Sequence, residues 1–477
     1  MTELARVLEN TGKTLQIPMQ PKAKNTDQLS FYRTFDEQLN PQHPLYQLAN
    51  KIDWKRFEEA FRPLYHAKTG RPAKPIRLMV GLLILKHVRN ISDEHVVAQW
   101  EENAYYQYFC GETSFVAGAP CEASELVHFR HRIGQDGLEL ILQESIRIQN
   151  DDRDQDNGEV IVDTTVQEKN ITFPTDDKLR KKIVRKCLAI AKQEGLALRQ
   201  TYTRTIQRLS YQQRFRRTKA QQAVARRADR RIHTIANRLV SELRRKLDTA
   251  AGGRWNELLT RFERVLRQKR TDKNKIYSLH EPNVQCIAKG KTHKPYEFGS
   301  KASFLIGKHS GIVLGALNLE KNDYDGHTLE PALEQYERWH GQRPSIAIGD
   351  LGYRGRAKIG TTKVLTPASP GATTPVERRK RRRSMRRRAA IEAAISLLKR
   401  AYRLNRNYYK GTAGDHTNVL LAAAAANFAR WMRRFFAPIQ PLYYPCVLLV
   451  ALYRTIYDQI NDSSRFQLGG PRGFRPA

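Results

Sequence analysis

Hydrophobic spacing changes character three times along this chain. From about Pro41 to Gln149 apolar residues recur at helical intervals. The run Pro75-Ile76-Arg77-Leu78-Met79-Val80-Gly81-Leu82-Leu83-Ile84-Leu85-Lys86-His87-Val88 predicts a strongly apolar helix, fed by the basic turn 70–75. Ser92-Asp93-Glu94 predicts a capped start for a second helix through Trp100 and Tyr105. After the polar linker 151–158, short β-branched runs replace that period: Val160-Ile161-Val162 and, much later, Ile346-Ala347-Ile348. These predict buried strands. Two further strand-like runs, 294–306 and 311–319, and a helix near 329–339 lie between them. The order strand, strand, strand, helix, strand, helix predicts an α/β fold with a mixed sheet.

Between the first two strands the helical period returns, with a thin stripe of Ile206, Leu209, Val224, Ile232, Ile235, Leu239 and Leu243. The expected organisation is an all-α N-terminal domain over 1–150, an α/β core over 158–175 plus 276–435, a helical insertion over 176–275 and a tail over 436–477. In the tail, the apolar run 445–453 falls well short of the roughly 20 residues a membrane span needs, so it predicts a packed helix.

Charge changes the picture most. The 477 residues carry 83 Lys and Arg against 48 Asp and Glu, a formal charge of +35, with 40% hydrophobic residues. A chain that can build a core and is this basic points to a polyanionic partner, nucleic acid before membrane surface. From Lys178 to Lys246 there are 22 Lys and Arg and three acids, Glu194, Asp229 and Glu242. Such an excess self-repels unless a polyanion neutralises it, so this segment is expected to face DNA, with Arg226, Arg227, Arg230 and Arg231 as contacts. The bland alternative is a solvated helical hairpin. A second dense run, Arg378 to Arg388, sits N-terminal to a helical stretch and makes Arg386, Arg387 and Arg388 candidate phosphate ligands. Five cysteines without metal spacing predict reduced thiols, and residues 1–9 lack a signal pattern.

Three acids stand out: Asp163 and Asp350, each closing an apolar strand-like run, and Glu392 on a run of good helix formers. Carboxylates converging from two strand ends and a helix suit hard divalent cations, and the absence of neighbouring His or Cys favours Mg²⁺ or Mn²⁺ over zinc. Two such ions about 4 Å apart can activate water and stabilise a leaving oxygen in phosphodiester cleavage. Taken singly, each acid reads as a cap or a solvated side chain.

The combined motifs resemble the DDE transposases of bacterial insertion sequences, of the insertion-sequence-five type, in the group whose catalytic helix carries Tyr-x2-Arg-x3-Glu-x6-Lys. Arg388, Glu392 and Lys399 match that spacing, Asp350-Leu351-Gly352-Tyr353 matches Asp-x-Gly-Tyr, and Asp163-Thr164-Thr165 matches Asp-x-Thr. His280-Glu281-Pro282, Lys289-Gly290-Lys291, 296–301 and 324–329 are also family-like, so the resemblance covers about residues 30 to 430. Met385 stands where the signature has tyrosine and offers no hydroxyl to a phosphate. The resemblance implies an RNase H-like core in which Asp163, Asp350 and Glu392 are catalytic metal ligands, with two Mg²⁺ or Mn²⁺ ions. It also implies that Arg388, Lys399 and Lys301 contact DNA, and that the N-terminal helices bind DNA ends. The partners would be double-stranded DNA, as terminal inverted repeats and target, with a homodimer on DNA and no membrane. The setting would be bacterial cytoplasm at the nucleoid. Two alternatives remain beside it: a nuclease of the same fold that cuts without joining, and a DNA-binding descendant without activity.

Overall fold

The computed structural model describes residues 34–435 apart from 67–70, 150–155, 248, 270, 291 and 368–373. The readings made for residues 1–9, for the tail 436–477 and for its apolar run 445–453 lie outside the described residues. The chain separates into two units, 34–129 with 425–435, and Arg130–Ala424.

The first unit is built from helices. After a one-turn helix at Phe35–Gln38 come α1 (Pro44–Lys51), α2 (Trp54–Phe61), α3 (Ile76–Val88), α4 (Asp93–Glu102) and α5 (Ala104–Phe109). Helix α3 is buried nearly all round, as its unbroken apolar run requires. Its one buried amine, Lys86, is matched by Asp93 at 2.8 Å. Ser92 caps α4 by accepting from the His95 amide. The expected continuation through Tyr105 stops at Asn103, whose side chain accepts from the Tyr106 amide and starts α5 instead.

Helix α6 (Ala123–Arg147), interrupted at Gly134 with φ +59°, leads into the second unit. There, β1 (Glu159–Lys169) is the central strand of an eight-stranded mixed sheet. It pairs antiparallel with β3 (Tyr296–Gly307) and parallel with β5 (Ile346–Ile348) and β8 (Arg406–Asn407). The outer strands are β2 (Gln285–Ala288) and β4 (Val313–Leu319), both on β3, then β7 (Thr362–Leu365) on β5 and β6 (Lys358–Ile359) on β7. Val160, Ile161, Val162 and Val166 of β1 are almost wholly buried, which explains its continuous apolar pattern. Helix α11 (Asp325–His340) packs on β3 and β4 and starts four residues before the expected position. After it come α12 (Pro375–Arg387), α13 (Ala389–Ala401) and α14 (Gly411–Met432).

Two local expectations change. Asp163 does not end its strand. It is the fifth of eleven residues in β1, because Thr164, Thr165 and Val166 are β-formers that go on pairing with Ser303, Ala302 and Lys301. The second is at Asp350. Strand β5 stops at Ile348, and Asp350 caps a 3₁₀ turn, Leu351–Tyr353.

Between β1 and β2 run α7 (Asp176–Gln193), α8 (Thr203–Gln212), α9 (Lys219–Lys246) and α10 (Thr249–Arg267). They share a hydrophobic cluster in which Ile183, Cys187, Ile232, Ile235, Leu239, Leu243 and Phe262 are fully buried. Val224, expected on this stripe, is instead 41% exposed, in the first turns of α9.

Candidate active site

The sheet brings Asp163 and Asp350 to the same level. Ile161 pairs with Ile348 across the parallel β1–β5 ladder, and each aspartate lies two residues further on. Adjacent strands are about 4.8 Å apart, so the two carboxylates share the carboxyl-end rim of this strand pair, the usual ligand position in open α/β sheets. Asp163 accepts from the Thr164 amide at 2.8 Å, and Asp350 accepts from the Gly352 amide at 2.7 Å. The turn after β5 is tight. A Cβ on Gly349 would come within 2.7 Å of the Tyr353 ring, and one on Gly352 within 2.9 Å of oxygens of both Asp325 and Asp350. Glycine is therefore required by close approach at both places.

Asp325 was not singled out from the sequence, although its segment was. It begins α11 and reaches into the same group: its Oδ1 accepts from Thr164 Oγ1 at 2.8 Å and pairs with Lys301 Nζ at 2.7 Å. Burial pushes the Asp163 carboxyl up to about 6, helped by the nearby charges of Asp350 and Asp325 and opposed by the Thr164 amide and Lys289. Tyr353, 2% exposed, is close enough to all three acids to feel their charge. Burial and those negative charges push its phenol well above its ordinary range. Its hydroxyl, near that of Thr328, meets no hydrogen-bond partner of good geometry.

Glu392 stands apart. Helix α13 packs against β1 through Ile391, Ile395 and Leu398, spaced four and three residues apart on one face. Glu392, about 100° round from Ile391, has a 60% exposed side chain paired with Arg388 at 3.3 Å. Among the described residues no three His, Cys, Asp or Glu side chains form a group able to hold a metal ion. The structure thus unites Asp163 with Asp350 and adds Asp325, while the contact it gives Glu392 is to Arg388.

The donor chemistry still fits a divalent cation. Asp163 and Asp350 are oxygen donors at one rim, and burial, with added repulsion from Asp350 and Asp325, holds a proton on Asp163 at higher pH than usual. A cation there removes that repulsion.

The candidate DNA ligands divide by exposure. Arg226, Arg227, Arg230, Arg231, Arg386 and Arg387 are exposed. Arg388 and Lys399 are half-buried on the Glu392 helix and its start. Lys301 is 7% exposed and held by Asp325 and the Asp323 carbonyl, so it neutralises a buried carboxylate in this structure. The arginine run is itself α12, opened by a Thr374–Glu377 capping box and Pro375. Its Ser384 is buried and accepts from Lys308 Nζ at 3.0 Å, and the same Nζ pairs with Glu159 of β1. That contact fixes the basic helix to the sheet.

Trp431 is buried, whereas Trp339 is half-buried with its indole N–H on Glu139. His280 is bonded to Ser278, and His327 stacks edge-on with Tyr324. Cys110, Cys121, Cys187 and Cys286 are free thiols. No helix among the described residues is long and apolar enough to cross a membrane.

With this geometry in hand, two family models match the chain. A transposase domain (DUF772) covers residues 33–132, and a transposase DDE domain covers residues 266–428. A Rhizobium meliloti protein described as uncharacterized protein ORF8 in the nfe locus is 42% identical over 200 residues, 41% of this chain and 95% of that protein. No solved structure matches. Both matched families are transposase domains, so the chain carries domains of a DDE transposase of insertion-sequence type, and its mixed sheet is consistent with their RNase H-like fold. Enzymes of this kind act on DNA and in general use divalent metal ions.

Proposed function

We propose that Asp163, Asp350 and Glu392 form the acidic triad with which this transposase cuts DNA at the ends of its element and joins them to target DNA, in the manner of the insertion-sequence-five type. The observation that carries the reading is the pair Asp163–Asp350, each two residues beyond the paired Ile161 and Ile348, Asp163 on β1 and Asp350 in the turn after β5, and electrostatically coupled. When bound, two Mg²⁺ or Mn²⁺ ions supply Lewis-acid activation of the attacking water and of the leaving oxygen. Asp163 and Asp350 present fixed oxygens, held by the Thr164 and Gly352 amides. Glu392 completes the set by leaving Arg388. Their ion pair is half exposed and spans 3.3 Å, and exposed pairs of this kind are worth about 0.2–1 kcal/mol. A DNA phosphate can therefore take Arg388 in a bidentate fork, which frees Glu392 and couples substrate arrival to assembly of the site. Lys399 adds a point charge on the scissile strand.

Around the site, residues 1–150 are read as the DNA-end-binding domain, 158–175 with 276–435 as the catalytic core, 176–275 as a DNA-facing insertion and 436–477 as the tail. Two protomers would pair two ends at the nucleoid.

The test is a cleavage assay on labelled element ends beside a binding assay on the same DNA. Asp163→Asn, Asp350→Asn and Glu392→Gln should each abolish cutting and weaken Mn²⁺ binding measured by electron paramagnetic resonance, with DNA affinity kept. Cleavage within tenfold of the parent, about 1.4 kcal/mol of barrier, would exclude a direct ligand role. Products cut but never joined would assign a nuclease of the same fold.

A further inference from the structure

A cleft of about 740 Å³ opens between the first turns of α7, the end of α8 and the first half of α9. Its lining mixes six cations with three carboxylates, and the carboxylates are all engaged. Asp176 pairs with Lys275, Asp177 with Lys181 and Asp229 with Arg216, at 3.2, 2.9 and 3.1 Å. Among the described residues Arg180, Arg185 and Arg214 of this lining meet no carboxylate, and Arg180 Nε is buried without a hydrogen-bond partner. The orphaned Arg180 Nε calls for an anionic oxygen acceptor, and the exposed Arg185 and Arg214 beside it are free to share one.

The second observation is Gln213, only 7% exposed. Its Nε2 donates to both Asp177 and Asp229. Ionised carboxylates only accept, so the amide orientation is chemically fixed. Oε1 then turns away from them and has no partner. This oxygen needs an N–H or O–H donor, which an ionised phosphodiester lacks. A nucleotide carries both halves: anionic oxygens for the arginines, and a base edge with N–H groups for Gln213. The volume lies in the range of small-ligand sites, roughly 300–1,000 Å³.

We propose that this cleft is a nucleotide site, taking one nucleotide of a DNA strand out of its stack, with the phosphate on Arg180, Arg185 and Arg214 and the base edge on Gln213. It rests on the reading above that DNA is the partner, and it gives the basic helices a task distinct from general phosphate attraction: holding an extruded or single-stranded nucleotide. Extrusion is cheapest where the strand is already unpaired, so the preferred probe is single-stranded.

The experiment uses the full chain and a single-stranded deoxyoligonucleotide of twelve residues carrying one 2-aminopurine. Binding to the parent protein should change the 2-aminopurine emission, dAMP should compete for the change, and inorganic phosphate should compete at least tenfold less well. Gln213→Leu should abolish the emission change while oligonucleotide affinity stays within threefold, and Arg214→Gln should weaken affinity at least tenfold. Arg214 is exposed, so that variant keeps its fold and carries the test if Gln213→Leu melts early. Replacing Arg226, Arg227, Arg230 and Arg231 by alanine should weaken duplex binding and leave the emission change at saturation intact. Unchanged emission and affinity in Gln213→Leu and Arg214→Gln would overturn the site while leaving the transposase reading untouched. A parent protein that binds neither duplex nor single strand would overturn the transposase reading itself. Equal competition by phosphate and dAMP would reduce the cleft to a phosphate site and overturn the base contact.

Discussion

The sheet that carries Asp163 and the helices between β1 and β2 handle charge in opposite ways. In the sheet, cations are buried and matched: Lys301 by Asp325, Lys308 by Glu159, and Lys169 by Asp415 and Glu281. In the helices, Arg226, Arg227, Arg230 and Arg231 are exposed around a narrow apolar cluster. The contrast follows from solvation. An unpaired ion in a low-dielectric sheet is penalised by several kcal/mol, so every buried amine there has its carboxylate and serves to fix geometry. On an exposed helix an unpaired guanidinium stays hydrated, and the accumulated charge becomes long-range attraction for a polyanion. On the proposed reading, buried charge would position the chemistry and exposed charge would gather the DNA.

That comparison can be broken in four ways. The largest expected effect is on catalysis. Loss of Asp163, Asp350 or Glu392 should lower cleavage by several orders of magnitude without loss of DNA affinity, whereas loss of the exposed arginines should do the reverse. Parallel cleavage and binding titrations read both.

Next is the salt dependence of binding. Replacing Arg226, Arg227, Arg230 and Arg231 by alanine should reduce the slope of log K against log salt by up to about 3–4 units, since each phosphate contact releases roughly 0.9 counterion. Specific and nonspecific DNA should be weakened alike, with thermal stability unchanged. An unaltered slope would assign this helix face to a protein contact.

A buried partner should behave differently. Lys169→Ala leaves Asp415 and Glu281 facing each other in the interior and should cost about 3–5 kcal/mol of stability, read by denaturant unfolding. Salt should barely alter that loss. A cost near that of an exposed pair would mean that water reaches the cluster and that the contrast between the regions is overdrawn.

The smallest effect separates function from stability at one residue. The Asp163 carboxyl is raised to about 6 in the folded chain, above its ordinary value near 3.9. The folded state therefore holds its proton more tightly than the unfolded state, and stability falls as pH rises between those values. Asp163→Asn should consequently stabilise the metal-free protein at pH 7 by on the order of 1–3 kcal/mol, with the gain vanishing below about pH 4. Added Mn²⁺ should stabilise the parent and not the variant. A variant that melts earlier at pH 7 would mean that the Thr164 amide contact outweighs the burial and repulsion that disfavour the Asp163 carboxylate.

Much of this was legible along the chain. The β-branched run before Asp163, the capped start at Ser92 and the helical stripe of Ile232, Ile235, Leu239 and Leu243 are local patterns, and local patterns report local backbone and burial. Cap chemistry also lay in plain view at Asn103, where a helix expected to continue breaks. Charge excess, the order of strands and helices and the spacing of Arg388, Glu392 and Lys399 belong to the same level. They pointed to metal chemistry on a polyanion, and the resemblance of the motifs to a known family added the expectation of a transposase.

Only the tertiary structure decided which charges meet. Asp325 lies 162 positions from Asp163, and nothing in its own segment says that Thr164 and Lys301 will hold it. Lys301 and Arg226 are both basic residues in a basic chain. Pairing across β3 buries the first against a carboxylate, while helix rotation leaves the second in water. The orientation of Gln213 and the pairing of Glu392 with Arg388 depend likewise on neighbours that folding supplies. The sequence by itself determined most of the elements, the excess charge and which acids were candidates for metal chemistry, because these depend on residues close in the chain. The partner of each ion, and with it the choice between positioning and binding, was left to the fold, because electrostatic energy depends on distance and desolvation in three dimensions.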